Sequence, residues 1–126
     1  METRKQIAAE KKLRGSHNCA QAVLHTYADM AGIDEEQAMK IAGPFGAGMG
    51  NMEGTCGALV GAGMALGMIT ADKLRARKAM INIMNEFQQR NGATQCRMLK
   101  GIGTGHVLRS CEGCVADACE LLEQHI

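Results

Sequence analysis

Apolar residues recur at helical intervals along most of the chain, and no stretch shows the strict alternation of a half-buried strand. The pattern predicts a first helix over about residues 3–14. A second opens near Ser16 or Asn18 and runs to about Ala31, with Ala20, Val23, Leu24, Tyr27 and Ala31 on one face and Gly32 as its stop. Asp34 followed by Gln37 spells a capping box, so 35–42 is a short third helix halted by Gly43 and Pro44. GPFGAGMGNMEG (43–54) reads as a glycine-rich loop leading into a buried central helix. Thr70 is expected to cap a fifth helix, about 71–90, whose inner face is Ala76, Met80, Ile83, Met84 and Phe87, with Gly92 ending it. A short helix follows Thr94. The last starts at Ser110 and runs to about Gln124, with Val115, Ala118, Cys119 and Leu122 inward. With no repeat, low-complexity tract or linker, residues 1–126 read as one all-α domain of six or seven helices.

The segment between Thr55 and Asp72 holds no charge, which raises the question of a membrane span. Crossing a bilayer takes about 20 apolar residues, and this run is shorter and broken by glycines and threonines, so a buried helix is the better reading. Gly57 and Gly61, then Gly63 and Gly67, stand four apart and leave flat strips for close approach of a neighbouring backbone. Such strips permit a homodimer without requiring one. In the preceding loop, Gly46, Gly48 and Gly50 are followed by Asn51 and Glu53 where a dinucleotide fingerprint needs its third glycine, and no GK follows for a phosphate loop. The loop therefore reads as a flexible connector giving close backbone approach to something.

Net charge is +1 and aromatic content 2%, which leaves no basic face interleaved with stacking rings and excludes a nucleic-acid partner. The ten methionines supply core volume instead. Basic residues gather in 4–14 and 73–78 and acidic ones in 111–126, the mark of solvated helix faces more than of a docking surface. The opening METRKQIAAEKKLRG has no apolar run and resembles no signal or transit peptide, so a cytoplasmic location is expected.

Composition next turns attention to thiols. RSCEGCVADAC (109–119) packs three of the six cysteines behind a capping serine. A disulfide staple, a ligand set for a metal or iron–sulfur cluster, and a redox dithiol all compete. A reducing cytoplasm and a chain long enough for its own core weigh against the staple. Cys19 follows Asn18, Cys56 follows Thr55, Cys96 follows Thr94 by two, and Cys111 follows Ser110, so all four fall in the first turn of a predicted helix. There, unpaired N–H groups and the helix dipole favour the thiolate, the nucleophile and metal ligand. Spacings of 37, 40 and 15 residues are too wide for a local metal knuckle, so the fold must bring the four together. Cys114 and Cys119 flank the inward face of the last helix. Cys119 reads as core, whereas Cys114 completes a CEGC that resembles a redox CxxC without the βαβ context. His17 beside Cys19 reads as a solvent-facing polar residue, with base or ligand as the functional alternative.

NCAQAVL (18–24), TCGALVGAGMALG (55–67), CRML (96–99) and SCEGC (110–114), in that order, resemble the C_GCAxxG_C_C family of redox proteins, defined by four cysteines and a CGAxxG motif. The resemblance spans about residues 15–123 and maps the four family cysteines onto Cys19, Cys56, Cys96 and Cys111, leaving Cys114 and Cys119 outside the set. It implies a protein of anaerobic prokaryotes, and a similar domain in split-Soret cytochromes is associated with an iron–sulfur cluster; no CxxCH for haem is present here. The combined expectation is an all-α redox protein in which Cys19, Cys56, Cys96 and Cys111 hold an iron–sulfur cluster for electron transfer with a redox partner protein. The rivals are a thiol–disulfide oxidoreductase using Cys111 and Cys114, and structural zinc on the four family cysteines.

Overall fold

A computed structural model describes all residues, Met1–Ile126. Eight helices follow one another: α1 Lys5–Leu13, α2 Cys19–Thr26, α3 Ala28–Ala31, α4 Glu35–Ala42, α5 Gly57–Thr70, α6 Lys73–Asn91, α7 Cys96–Leu99 and α8 Cys111–Glu123. The only β feature is an isolated antiparallel bridge between Thr55 and Gln95. One core cluster of 26 buried residues draws on all eight helices. The fold is thus all-α, as expected, with one more helix than the upper count.

The extra helix comes from a break at Tyr27, whose backbone (φ −109°, ψ 14°) leaves the helical region and divides the predicted second helix into α2 and α3. Its predicted inward face nevertheless holds, with Ala20, Val23, Leu24, Tyr27 and Ala31 all buried. Asn18 starts α2 through a full capping box: its side chain accepts from the Gln21 amide at 2.8 Å while Gln21 accepts from the Asn18 amide at 2.9 Å. Asp34 and Gln37 do the same for α4. The start of α6 differs from expectation. Thr70 is the last residue of α5 and donates its hydroxyl to the Leu66 carbonyl, Ala71 turns left-handed, and the Asp72 carboxylate caps Leu74 and Arg75. Aspartate at that position accepts from two amides, which the threonine two residues earlier cannot reach.

Helix α5 packs most extensively against α2. The first glycine strip explains how: a Cβ on Gly61 would lie 2.6 Å from the Ala20 carbonyl oxygen, and one on Gly57 2.8 Å from that of Phe45. The second strip has no such role, since Gly63 faces the Met80 side chain and Gly67 faces open space. The α5 helix is also buried on one side only, with Met68 51% exposed near its C-terminus. No helix of the protein is long and apolar enough to cross a membrane.

The sorted charges prove partly complementary within the chain. Helix α1 lies along α8, where Lys5 meets Glu120 at 2.8 Å and the Arg4 amide donates to Glu123 at 2.8 Å. Residues 73–78 enter no ion pair, in keeping with a solvated face.

Candidate functional site

The starts of α2, α5, α7 and α8 converge beneath the glycine loop, and each carries a cysteine. Cys19, Cys96 and Cys111 are the first residues of α2, α7 and α8. Cys56 is one step earlier than predicted in helical register: it is itself the N-cap of α5, while Thr55 takes part in the bridge to Gln95. Backbone bonds tie these starts together, from the Cys56 amide to Thr94 O at 2.8 Å and from the Cys96 amide to Gly54 O at 3.0 Å.

The loop over 43–54 is an ordered cover and not the flexible connector expected. It forms a 3-10 turn at Gly43–Phe45 and a wide turn at Gly48–Met52, closed by the Gly54 amide on Gly48 O at 3.0 Å. Its close approach is to Cys96: a Cβ on Gly48, which has φ +55°, would sit 2.5 Å from the Cys96 Cβ. Ala47, Met49 and Met52 also adopt positive φ, a strained conformation for side-chain-bearing residues that the surrounding hydrogen bonds hold.

A cleft of about 310 Å³ opens between this loop and the helix starts, and Cys19, Cys96, Cys111 and Cys114 line it together with Lys12, Lys100 and Arg109. Cys56 lies behind it, 4% exposed and in direct interaction with Cys114. Cys114, outside the four-cysteine set, is thus a fifth thiol of the site. Its partner is Cys56 and not Cys111, because on α8 the thiol of Cys111 turns to Cys19. All six cysteines are free. Cys119 is fully buried in the core beside Tyr27, as expected of a small apolar residue. His17 is absent from the cleft; its ring packs edge-on against His25 at 4.7 Å and its Nδ1 meets the Ser16 hydroxyl at 2.7 Å.

The two thiol pairs divide their protons unequally. Interaction with Cys19 lowers Cys111 to about 6 against the opposing effect of burial, helped by Lys100 and Lys12. Cys19, which supplies that interaction and is itself buried, is pushed up. Cys114 likewise lowers Cys56, with the Ala58 and Leu59 amides at the α5 start adding to the effect, and is raised in turn. Burial raises Cys96 despite its place at a helix start. Placement at a helix N-terminus therefore does not by itself decide the proton: among the four, burial and a neighbouring thiol override it at Cys19 and Cys96.

Two sets of residues at the cleft escaped the sequence reading. The Cys114–Cys56 contact depends on how α5 and α8 cross. Lys100, four residues after Cys96, and Lys12, on α1, enter the site only because α1 and α7 border the same cleft. The i, i+4 spacing of Cys96 and Lys100 was the one local signal available. Gly113 also gains a role, since a Cβ there would lie 2.6 Å from the Arg109 Nε that grips Asp117 at 3.1 Å.

No group of three or more His, Cys, Asp or Glu side chains is arranged to hold a single metal ion. No curated protein and no solved structure matches the chain. The model of the family described as "Putative redox-active protein (C_GCAxxG_C_C)" matches residues 17–125, a span that contains all six cysteines and every residue lining the cleft except Lys12. The protein belongs to the C_GCAxxG_C_C family.

Proposed function

We propose that the protein is an electron carrier whose thiol cleft binds an iron–sulfur cluster through Cys19, Cys56, Cys96 and Cys111. The observation that carries this reading is the convergence of four cysteine-bearing helix starts on one place, with Cys19, Cys96 and Cys111 lining the cleft and Cys56 directly behind it. The donor set fits in kind, because thiolates are the usual cluster ligands and no histidine or carboxylate lines the cleft. A multinuclear cluster sets its ligands wider apart than one ion does, so the lack of a single-ion group bears against the zinc alternative first. When bound, the cluster supplies reversible one-electron chemistry. The chain's own part is to hold the ligands rigidly on helix ends and to exclude water with the 43–54 loop. It also presents N–H donors and the Lys12 and Lys100 ammoniums to anionic sulfur, which favours the reduced state.

A second reading has its own support in the thiol pairing. In thiol–disulfide exchange, Cys111 would attack an external disulfide, displacing one thiol, and Cys19 would resolve the mixed disulfide and release the second. The intramolecular dithiol of that reading is Cys19–Cys111, since Cys114 faces Cys56. One variant series separates the two. After anaerobic reconstitution with ferrous iron and sulfide, Cys96→Ser should lose the visible absorption of the wild type while Cys114→Ser keeps it. Disulfide exchange would show the reverse sensitivity: no chromophore in any variant, and turnover abolished by Cys19→Ser but not by Cys96→Ser.

A further inference from the structure

The cleft carries a one-sided charge pattern. None of its fifteen lining residues is acidic, while Lys12, Lys100 and Arg109 contribute cations. Arg109 is neutralised by Asp117, through Nε at 3.1 Å and Nη2 at 3.3 Å. Lys12 and Lys100 take part in no ion pair of the structure. Both are half-buried and both act on the thiols: Lys100 interacts with Cys111, Cys96 and Cys19, and the field of Lys12 reaches the same three. An ammonium on a flexible stem is a mobile point charge with three donors, and a concave, low-dielectric wall concentrates its field along the path of entry. The cleft volume, about 310 Å³, is that of a small-molecule site.

We propose that the cleft selects small anionic redox reactants, with Lys12 and Lys100 drawing the anion to the sulfur atoms. This rests on the electron-carrier reading only in taking the cleft as the place where electrons are exchanged, and it holds whether a cluster or free thiols receive the reactant. The lysines are positioning residues: they touch the incoming anion, and the sulfurs accept or donate the electrons.

The test compares two aromatic disulfides of similar size on the reduced, metal-free, full-length protein: dithiobis(nitrobenzoate), a dianion, and neutral dithiodipyridine. With either, a cysteine thiolate forms a mixed disulfide and expels one coloured aromatic thiol, and no further oxidant enters. The ratio of the two rates cancels any change in thiolate fraction and reports charge selection alone. Mass spectrometry restricts the comparison to modification at Cys111, the most exposed of the cleft thiols. The anion-to-neutral ratio should fall about tenfold in the Lys12→Gln/Lys100→Gln variant at low salt, and high salt should bring the wild type toward the variant. Lys12→Arg/Lys100→Arg should keep most of the ratio, which separates charge from shape. An equal ratio in wild type and Gln variant, or one indifferent to salt, overturns the proposal. Failure of the electron-carrier reading is visible separately, as absence of a chromophore after reconstitution, and leaves the disulfide ratio fully decisive.

Discussion

Cys111 and Cys119 stand on one helix, eight positions and so about 12 Å apart, and their surroundings give them opposite chemistry. At the N-terminus Cys111 is half-buried, meets the Cys19 thiol, and has Lys100 and Lys12 nearby, which together bring it down to about 6. In the body of the helix Cys119 is fully buried, and desolvation pushes it up to about 12 against the opposing hydrogen bond with Tyr27. The same side chain is thus a thiolate where a helix end, a thiol donor and two cations meet, and an apolar filler about two turns further on. The contrast also shows what the helix end alone does not do. Cys19 occupies the same first-residue position on α2 and is raised, because its hydrogen bond to Cys111 and its burial outweigh the dipole.

The largest expected effect is the contrast itself. Iodoacetamide at pH 7 on reduced, metal-free protein should modify Cys111 more than about a thousandfold faster than Cys119, as read by mass spectrometry. Equal rates would break the account of α8. The pH profiles should separate in the same sense, with Cys111 labelling rising through about pH 6 and Cys119 labelling appearing only as pH approaches 12. Linkage gives opposite signs for stability. The lowered Cys111 favours the folded state above the ordinary thiol range, and that contribution fades as pH falls through about 6. The raised Cys119 works the other way, since an unfolded chain ionises there first and stability drops as pH climbs toward 12.

Next in size is the clamp that fixes the thiol end of α8. Asp117, 8% exposed, accepts from Arg109 and from Asn91 at 3.1 Å each, and joins the final loop and α6 to α8. Asp117→Ala should cost about 2–3 kcal/mol in denaturant unfolding, since it leaves Arg109 and Asn91 without their acceptor. Ser110→Ala removes the hydroxyl that accepts from the Gly113 amide at 3.1 Å and should cost about 1 kcal/mol. The smallest effect sharpens the comparison most. Lys100→Gln should move the Cys111 labelling midpoint upward and leave that of Cys119 unchanged, because only the former feels that ammonium.

What was legible in the sequence follows the same local and non-local division. Asn18, Asp34 and Ser110 announce helix starts through side chains that reach amides two or three residues on, and a single sequence carries all of that information. The inner faces of α2 and α8 were readable for the same reason, being set by helical period. The break at Tyr27, the displacement of the α6 cap from Thr70 to Asp72, and the left-handed Ala47, Met49 and Met52 were not. The Asp72 cap is as local as the other three, but Thr70 competes with it in the sequence, and the departures at Tyr27, Ala47, Met49 and Met52 are backbone angles that helical period does not encode. The four helix-start cysteines could be picked out one by one, but Cys114 joined them only through the crossing of α5 and α8, and Lys12 only through the placement of α1 beside the cleft. Gly61 fits its predicted use and Gly67 does not, since a strip of glycines declares that a backbone is able to approach and not which helix will.

The measurement closest to the central claim follows iron, acid-labile sulfide and thiol protection together. Protein is reconstituted without oxygen, desalted, and alkylated beside a metal-free control. The account predicts that iron and sulfide stay with the chain and that Cys111, freely labelled in the control, becomes protected along with Cys19, Cys56 and Cys96. Iron and sulfide that pass through the column, with identical labelling of Cys111 in both samples, would contradict it.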